Sequence, residues 1–316
     1  MQKTSLTLAY CLKRENVLEP TDNSIINIYP KVSKNFFIID GHSQLYQAYY
    51  AIIGLTTPSG QPINAVYGFT RMLRKIVKED KPYYMAIAFD SKGPTFRHLE
   101  YAKYKEHRKP TPDDLASQIP LMFDLIRAYN IPIFAIKGFE ADDIIGTISK
   151  KVSMENIECT IITTDKDMDQ LVDKHIKVFN PRKKEIRDID KIRNEMGIEP
   201  KNFIDVLALS GDSSDNIPGI PGIGLKTALN LIREWKSLDN VLSNIDRIKG
   251  KKKQENLLKY AELARLSMRL ATINTEVPID FRLESCRFTN FNNNKLNELF
   301  TAYGFNSFLA DNHDSN

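Results

Sequence analysis

Carboxylates dominate the chemistry that this chain could perform. The segment 138-GFEADDIIGTI-148 sets Glu140, Asp142 and Asp143 within four residues, directly before an apolar run. Like charges this close raise one another's pKa, and burial of the apolar run raises it further. Six more carboxylates stand out by position: Asp40 closing 36-FFIID-40, Asp90 closing 84-YMAIAFD-90, Asp165 and Asp167 in 163-TTDKD-167, and Asp212 and Asp215 in 210-SGDSSDNIPG-219. Any one of them alone reads as a helix cap or a solvated charge. Nine on one rim would destabilise each other unless cations neutralised them. No cysteine or histidine set accompanies them, and an all-oxygen site suits Mg²⁺ or Mn²⁺. Two such ions about 4 Å apart can clamp a phosphodiester for in-line attack by water. His42 and His175 are read as structural.

The elements that must position these groups follow from the apolar pattern. Short, nearly continuous apolar runs at 36–40, 84–90, 131–136 and 159–165 read as buried strands of a parallel sheet. Between them, 64–80 and 113–130 carry helical spacing, with a kink or break expected at Pro120. Strands alternating with helices predict a doubly wound α/β domain, whose ligands bind outside the carboxyl ends of the strands. Asp40, Asp90 and Asp165 close three of those strands, so one rim would hold them, and the cluster at 140–143 would begin the next helix on that rim. After residue 186 helices dominate, at 200–211, 224–235, 253–271 and within 289–305.

Two further stretches suit a polyanion. The segment 91-SKGPTFRHLEYAKYKEHRKP-110 carries Lys92, Arg97, Lys103, Lys105, Arg108 and Lys109 with Tyr101 and Tyr104 interleaved, directly after Asp90. Cations with stacking aromatics suit single-stranded nucleic acid, although alone this could be a solvated loop. The stretch 217-IPGIPGIGLKTALNLI-232 has a Gly219-to-Gly224 gap like a phosphate loop, but Leu225 intervenes before Lys226 and Thr227 and no strand precedes it, which excludes a nucleotide-hydrolysing loop. Two apolar helices joined by a glycine-rich turn read instead as a helix-hairpin-helix, whose amides hold a DNA phosphate without reading sequence. The run 249-KGKKK-253 adds charge nearby.

Composition bounds the rest. The 316 residues, 42% hydrophobic and 27% charged, allow one or two domains with a sizeable core. The net charge of +4 is only mildly basic. No apolar run approaches the roughly 20 residues that span a bilayer. Cys11, Cys159 and Cys286 are too few for a disulfide framework, which points to a reducing, intracellular setting. The run 6-LTLAYCL-12 is too short for a secretory signal, and residues 1–34 are read as an N-terminal extension.

In combination the chain resembles the 5′-nuclease family of flap endonucleases, and most closely the N-terminal 5′→3′ exonuclease domain of bacterial DNA polymerase I. The resemblance rests on 39-IDGHSQLYQAYYA-51, 54-GLTTPSGQPINAVYGF-69, 89-FDSKGPTFRH-98, 104-YKEHRKPTP-112, 138-GFEADDIIG-146, 163-TTDKD-167 and 210-SGDSSDNIPGIPGIGLKTA-228, in family order over about residues 35–310. It implies that Asp40, Asp90, Glu140 and Asp142 hold a first metal ion, and that Asp143, Asp165, Asp167, Asp212 and Asp215 hold or support a second. It implies catalytic roles for Lys105 and Arg108 at the scissile phosphate, a stacking role for Tyr104, and DNA contacts from Arg97 and from Gly219, Gly222, Gly224, Lys226 and Thr227, with K⁺ on the hairpin carbonyls. Ser43 and Gln47 depart from the family pattern, which has histidine and arginine there.

The expectation is thus an α/β, PIN/5′-nuclease-like fold with a doubly wound, mostly parallel sheet and a C-terminal helix-hairpin-helix subdomain. Its parts would be an extension at 1–34, a nuclease domain at 35–186 with a basic arch about 91–118, a helical part at 187–310 with the hairpin at 211–235, and a tail at 311–316. The resemblance implies a cytoplasmic monomer acting with Mg²⁺ or Mn²⁺ on branched or nicked DNA with 5′ ends or flaps, with a DNA polymerase as partner and no membrane. Targeting by the extension stays open. Two other readings are a non-catalytic structure-specific DNA-binding protein, with Gln47 as a mark of decay, and a ribonuclease of the related acidic-site fold. The intact carboxylates oppose the first, and the hairpin and arch oppose the second.

Overall fold

The structure, a computed structural model, describes residues 34–313. The reading of residues 1–33, with 6-LTLAYCL-12 and Cys11, lies outside the described residues. The first strand, β1 (Asn35–Asp40), enters α1 (Gly41–Ala51) at once, because Asp40 caps that helix. Then follow α2 (Asn64–Glu79), β2 (Tyr84–Ala88), α3 (Phe96–Glu100), α4 (Asp113–Ala116), α5 (Ile119–Ala128) and β3 (Ile133–Phe134). The break expected at Pro120 is real: the chain turns between α4 and α5, and Pro120 sits in the first turn of α5, where its missing N–H has no intrahelical acceptor to lose. The second half of the sheet comes from α6 (Ala141–Met154), β4 (Glu158–Ile162), β5 (Ile176–Asn180) and β6 (Glu185–Arg187).

Among the described residues these strands form one sheet in the order β3-β2-β1-β4-β5-β6, parallel except for the β5–β6 pair. The chain winds outward from β1 in both directions, so the order reverses between β1 and β4. Ligands of doubly wound sheets bind at that switch point. Asp40 ends β1 and Asp165 follows β4, one on each side of it.

Strands β1, β2 and β4 are buried along nearly their whole length, as their apolar runs require. On one face Phe37, Ile39, Met85 and Ile87 pack under α2 and α5, together with α13 (Asn293–Tyr303) and α14 (Asn306–His313). Residues 311–313, read from the sequence as tail, thus belong to a helix. On the other face Phe36, Ile38 and Ala86 pack against Ile144, Ile145 and Ile148 of α6. The remaining helices are α7 (Ile189–Met196), α8 (Phe203–Ser210), α9 (Leu225–Trp235), α10 (Leu238–Ser243), α11 (Lys251–Lys259) and α12 (Ala261–Ala271). A third apolar cluster joins α8, α9 and α12. The helix expected over 253–271 is two helices, because Tyr260 leaves helical geometry.

Candidate metal and nucleic-acid site

The strand ends bring the acidic groups to one rim. Asp40 is 5% exposed. Its Oδ1 accepts from the Ser43 amide at 3.0 Å and its Oδ2 from Thr163 Oγ1 at 2.8 Å. Asp90 Oδ1 accepts from the Ala141 amide at 2.7 Å, which ties the end of β2 to the start of α6. The amide of Asp90 donates to His42 Nδ1 at 3.1 Å. Asp165 Oδ1 accepts from the Asp167 amide at 2.9 Å, capping a turn of 3-10 helix over Lys166–Leu171. The α6 N-terminus carries Glu140 and Asp142 in, as its dipole favours.

Burial and like charge there outweigh the hydrogen bonds and cations that would lower several of these carboxyls. Burial, and then the facing Asp90 and Asp165, push the Asp40 carboxyl up to about 7. Burial, then Asp165 and Asp212, push Asp167 up to about 8. Burial together with Asp165 and Asp40 drives Asp142 well above the carboxylate range, and burial also raises Asp165. Asp212 differs. Burial would raise it, but the Ser214 amide and hydroxyl and Lys166 outweigh that, and it titrates low.

The basic segment folds down onto this rim. Lys105 Nζ lies 2.7 Å from Glu140 Oε1 and 3.5 Å from Asp215 Oδ2, and Arg108 Nη2 lies 2.7 Å from Asp215 Oδ1. The Lys105 amide donates to Asp215 O at 2.9 Å, and Asn216 Nδ2 to Lys103 O at 2.6 Å, so the segment is clasped to the loop before α9. Tyr104 does not offer a stacking face. It is 3% exposed, and its hydroxyl donates toward Glu140 Oε2 at 3.0 Å and Asp215 Oδ2 at 3.2 Å. The apolar ring belongs to the α8–α12 core, which corrects the stacking role read from the resemblance.

Two further expectations are corrected together. Arg97 is 2% exposed and cannot reach DNA. Its Nη1 and Nη2 grip Asp143 at 2.9 and 2.8 Å, and Nη1 also reaches Glu140 Oε2 at 3.2 Å. Asp143 is fully buried and its lone pairs are spoken for: besides Arg97 it accepts from the amides of Glu140 at 3.1 Å and Asn274 at 2.8 Å. Asp143 is a structural anchor rather than a metal ligand. A buried charge needs this kind of partner, and a bidentate guanidinium supplies it.

The hairpin forms as expected between α8 and α9. Asp212 and Ile217 exchange backbone hydrogen bonds of 2.9 and 2.7 Å. Gly219 has φ +61°, and a Cβ there would lie 2.2 Å from the Gly211 amide nitrogen, so only glycine closes this turn. Gly222 has φ +80°, and Gly224 is the N-cap of α9. Lys226 is exposed in the first turn beside Thr227. The first amides of α9 have no intrahelical acceptor and can meet an anion. Asn256 Nδ2 donates to Pro221 O at 2.8 Å, which sets α11 and the run 249–253 beside the turn.

Sequence comparison decides the family. The model described as 5′-3′ exonuclease, N-terminal resolvase-like domain, matches residues 35–197, and that described as 5′-3′ exonuclease, C-terminal SAM fold, matches residues 198–294. The chain belongs to the 5′-3′ exonuclease family. DNA polymerase I of Bacillus caldotenax is 42% identical over 283 residues, 88% of this chain and 32% of that protein. The Bacillus subtilis polymerase I is 37% identical over 87% of this chain and 32% of its own length. The chain therefore spans about a third of the length of the curated relatives it matches. Phage T5 5′-exonuclease, in a structure with divalent metal ions (zinc) bound, superposes with a TM-score of 0.67 at 23% identity, over 77% of this chain and 90% of that one. The catalytic core of Rad2 in complex with DNA substrate gives 0.62 at 16% identity, over 89% and 93%. At these identities the likeness is one of fold.

Within this 5′-3′ exonuclease fold the acidic rim fits hard cations. Among the described residues no three histidine, cysteine or carboxylate groups already converge on one point, and Lys105 and Arg108 stand among the acids. The donors are nevertheless carboxylate oxygens, of which Asp40 is pushed up to about 7 and Asp167 to about 8, and the buried Asp167 Oδ1 has no partner. An all-oxygen set of this kind suits Mg²⁺ or Mn²⁺. Ser43, one of the two departures, bonds Thr164 Oγ1 at 2.8 Å and accepts from the Thr164 amide at 3.2 Å, which fastens α1 to the Asp165 loop. Gln47 lies on α1 with its buried Oε1 unpartnered.

Sequence reasoning missed Thr163, whose hydroxyl orients Asp40, and Gln170, whose amide bonds Asp167 O and Ala271 O at 3.0 Å each. Thr163 directly follows a strand and stands two residues before Asp165, which is a usable signal. Gln170 gives none.

Proposed function

We propose that this chain hydrolyses phosphodiester bonds at the 5′ ends and 5′ flaps of branched or nicked DNA, as an exonuclease and flap endonuclease of replication and repair. The observation that carries this reading is the set of mutually repelling carboxylates Asp40, Asp142, Asp165 and Asp167, the first buried and the others half-buried, beside Lys105 and Arg108. Those four carboxylates, with Asp90, Glu140, Asp212 and Asp215, would hold two Mg²⁺ or Mn²⁺ ions. Such ions supply a water of lowered pKa and an electrophilic clamp on the phosphate.

The chain's own residues do the rest. Lys105 and Arg108, freed from Glu140 and Asp215, present positive charge to the phosphate where negative charge develops. The hairpin amides at α9 with Lys226 and Thr227 hold the duplex backbone, with K⁺ on the turn carbonyls, and the lysines of 249–253 add sequence-independent attraction. Arg97 and Asp143 keep α6 rigid beneath the ligands. The nuclease part would run to about residue 186, with the hairpin part following. The length of the polymerase relatives supports a DNA polymerase, fused or separate, as partner. Cleavage of a labelled 5′-flap duplex that requires Mg²⁺ and maps to the junction would bear this out. Equal cleavage in excess chelator would refute it.

A further inference from the structure

Asp212 and Asp215 sit on the hairpin loop itself, where Lys166 Nζ lies 3.5 Å from Asp212 Oδ2, and a second connection joins the hairpin to the elements that carry the other carboxylates. Those elements hold one short stretch of chain, residues 270–274, at the C-terminal end of α12. Arg97 Nε donates to Leu270 O at 2.9 Å and Nη2 to Thr272 O at 2.8 Å, while the same guanidinium grips Asp143 and Glu140. Gln170 Nε2 donates to Ala271 O at 3.0 Å, its Oε1 accepts from the Ile273 amide at 2.9 Å, and it also holds the carbonyl of Asp167. The Asn274 amide donates to Asp143, and Gly146 of α6 lies so close to Ile273 that a Cβ would meet its Cγ2 at 2.6 Å.

The preceding turn of α12 holds the hairpin. The Gly219 amide, at the tightest point of the turn, donates to Ser267 Oγ at 3.0 Å, and Ser267 is fully buried. Three residues separate Ser267 from Leu270 on one rigid helix, less than one turn. A displacement of the hairpin turn therefore moves the carbonyls that orient α6 and the Asp165–Asp167 turn.

We infer that Arg97 and Gln170 are positioning residues: they couple the seating of duplex backbone on the hairpin to the spacing of the metal-binding carboxylates, through residues 270–274. Duplex bound at the hairpin should raise the affinity of the rim for divalent cations, and the cation should raise duplex affinity by the same factor. This rests on the phosphodiesterase reading, and it adds a regulatory link that a set of ligands alone would lack.

The test uses a closed dumbbell duplex, which has no 5′ end to enter the rim. Mn²⁺ binding is measured calorimetrically with and without dumbbell, and dumbbell binding is measured in chelator, for wild type, Arg97→Lys, Arg97→Met and Gln170→Leu. Wild type should bind Mn²⁺ about five-fold or more tightly with dumbbell present. Arg97→Met and Gln170→Leu should bring that ratio toward one while dumbbell affinity in chelator stays within about two-fold, and Arg97→Lys should restore part of it. Gln170→Leu keeps the test decisive if Arg97→Met does not fold. A wild-type ratio of one, or variants that lose Mn²⁺ affinity equally with and without dumbbell, would overturn the coupling. Wild type that cleaves flaps but shows no coupling defeats this inference alone, whereas wild type that binds neither Mn²⁺ nor duplex defeats the functional reading too.

Discussion

Lys105 Nζ stands 2.7 Å from Glu140 Oε1, a half-buried cation set directly on a carboxylate of the rim. Burial alone would depress the lysine, but Glu140, Asp215 and Asp142 outweigh it and hold it charged. It is thus poised as a fixed positive charge within a water-poor site. Lys105→Ala should lower kcat on a 5′-flap duplex by about 10²–10³-fold, the usual cost of one electrostatic donor, with KM changed only a few-fold. Steady-state kinetics with saturating Mg²⁺ checks this. A change confined to KM would make Lys105 a binding residue only.

The neighbours Asp142 and Asp143 should behave oppositely. Asp143→Asn leaves the buried Arg97 without its bidentate partner and should cost about 3–5 kcal/mol of stability. Asp142→Asn removes a carboxylate that burial and Asp165 keep far above its ordinary pKa, so the metal-free protein should be at least as stable as wild type. Chemical denaturation of the two variants in chelator distinguishes them, and similar losses in both would contradict the division of roles.

The rim also predicts how stability depends on pH. Folding raises Asp40 to about 7 and Asp167 to about 8, from 3.8. The folded chain therefore keeps protons that the unfolded chain has released, and the contribution of these groups to stability falls as pH rises from about 4 through about 8. Metal-free protein should show a lower melting temperature at pH 8 than at pH 6. Mg²⁺, which replaces those protons, should raise Tm more at pH 8 than at pH 6. A Mg²⁺ effect independent of pH would remove the link between raised pKa and cation binding.

The hairpin turn offers a backbone test. At Gly219 the positive φ and the 2.2 Å approach to the Gly211 amide leave no room for a methyl group. Gly219→Ala should lower Tm and weaken duplex binding in chelator about ten-fold or more, since one or two phosphate contacts depend on this turn. Unchanged binding by fluorescence anisotropy would place the duplex contact elsewhere.

Much of the architecture was legible because the apolar runs of β1, β2 and β4 are buried on both faces and leave no polar interruption. Strands β5 and β6 escaped because Lys177, Asn180 and Glu185 leave one side of that hairpin open to solvent, and their runs do not read as buried. Asp40, Asp90 and Asp165 could be placed on one rim because strand direction fixes where a strand ends. The fates of Asp143, Arg97 and Tyr104 could not, because each depends on contacts 36 to 175 residues away in sequence. Charge and aromatic character at 91–110 signalled an exposed strip, whereas packing against α12 took Arg97 and Tyr104 inside.

The most direct measurement is a Mg²⁺ titration of wild type and Asp142→Asn on a 5′-labelled flap duplex, with product lengths mapped. The metal-site assignment requires cleavage at the flap junction that rises with Mg²⁺ in wild type and falls by at least about 10³-fold in Asp142→Asn, whose fold stays intact. Wild-type rates that ignore Mg²⁺, or full activity in Asp142→Asn, would contradict it.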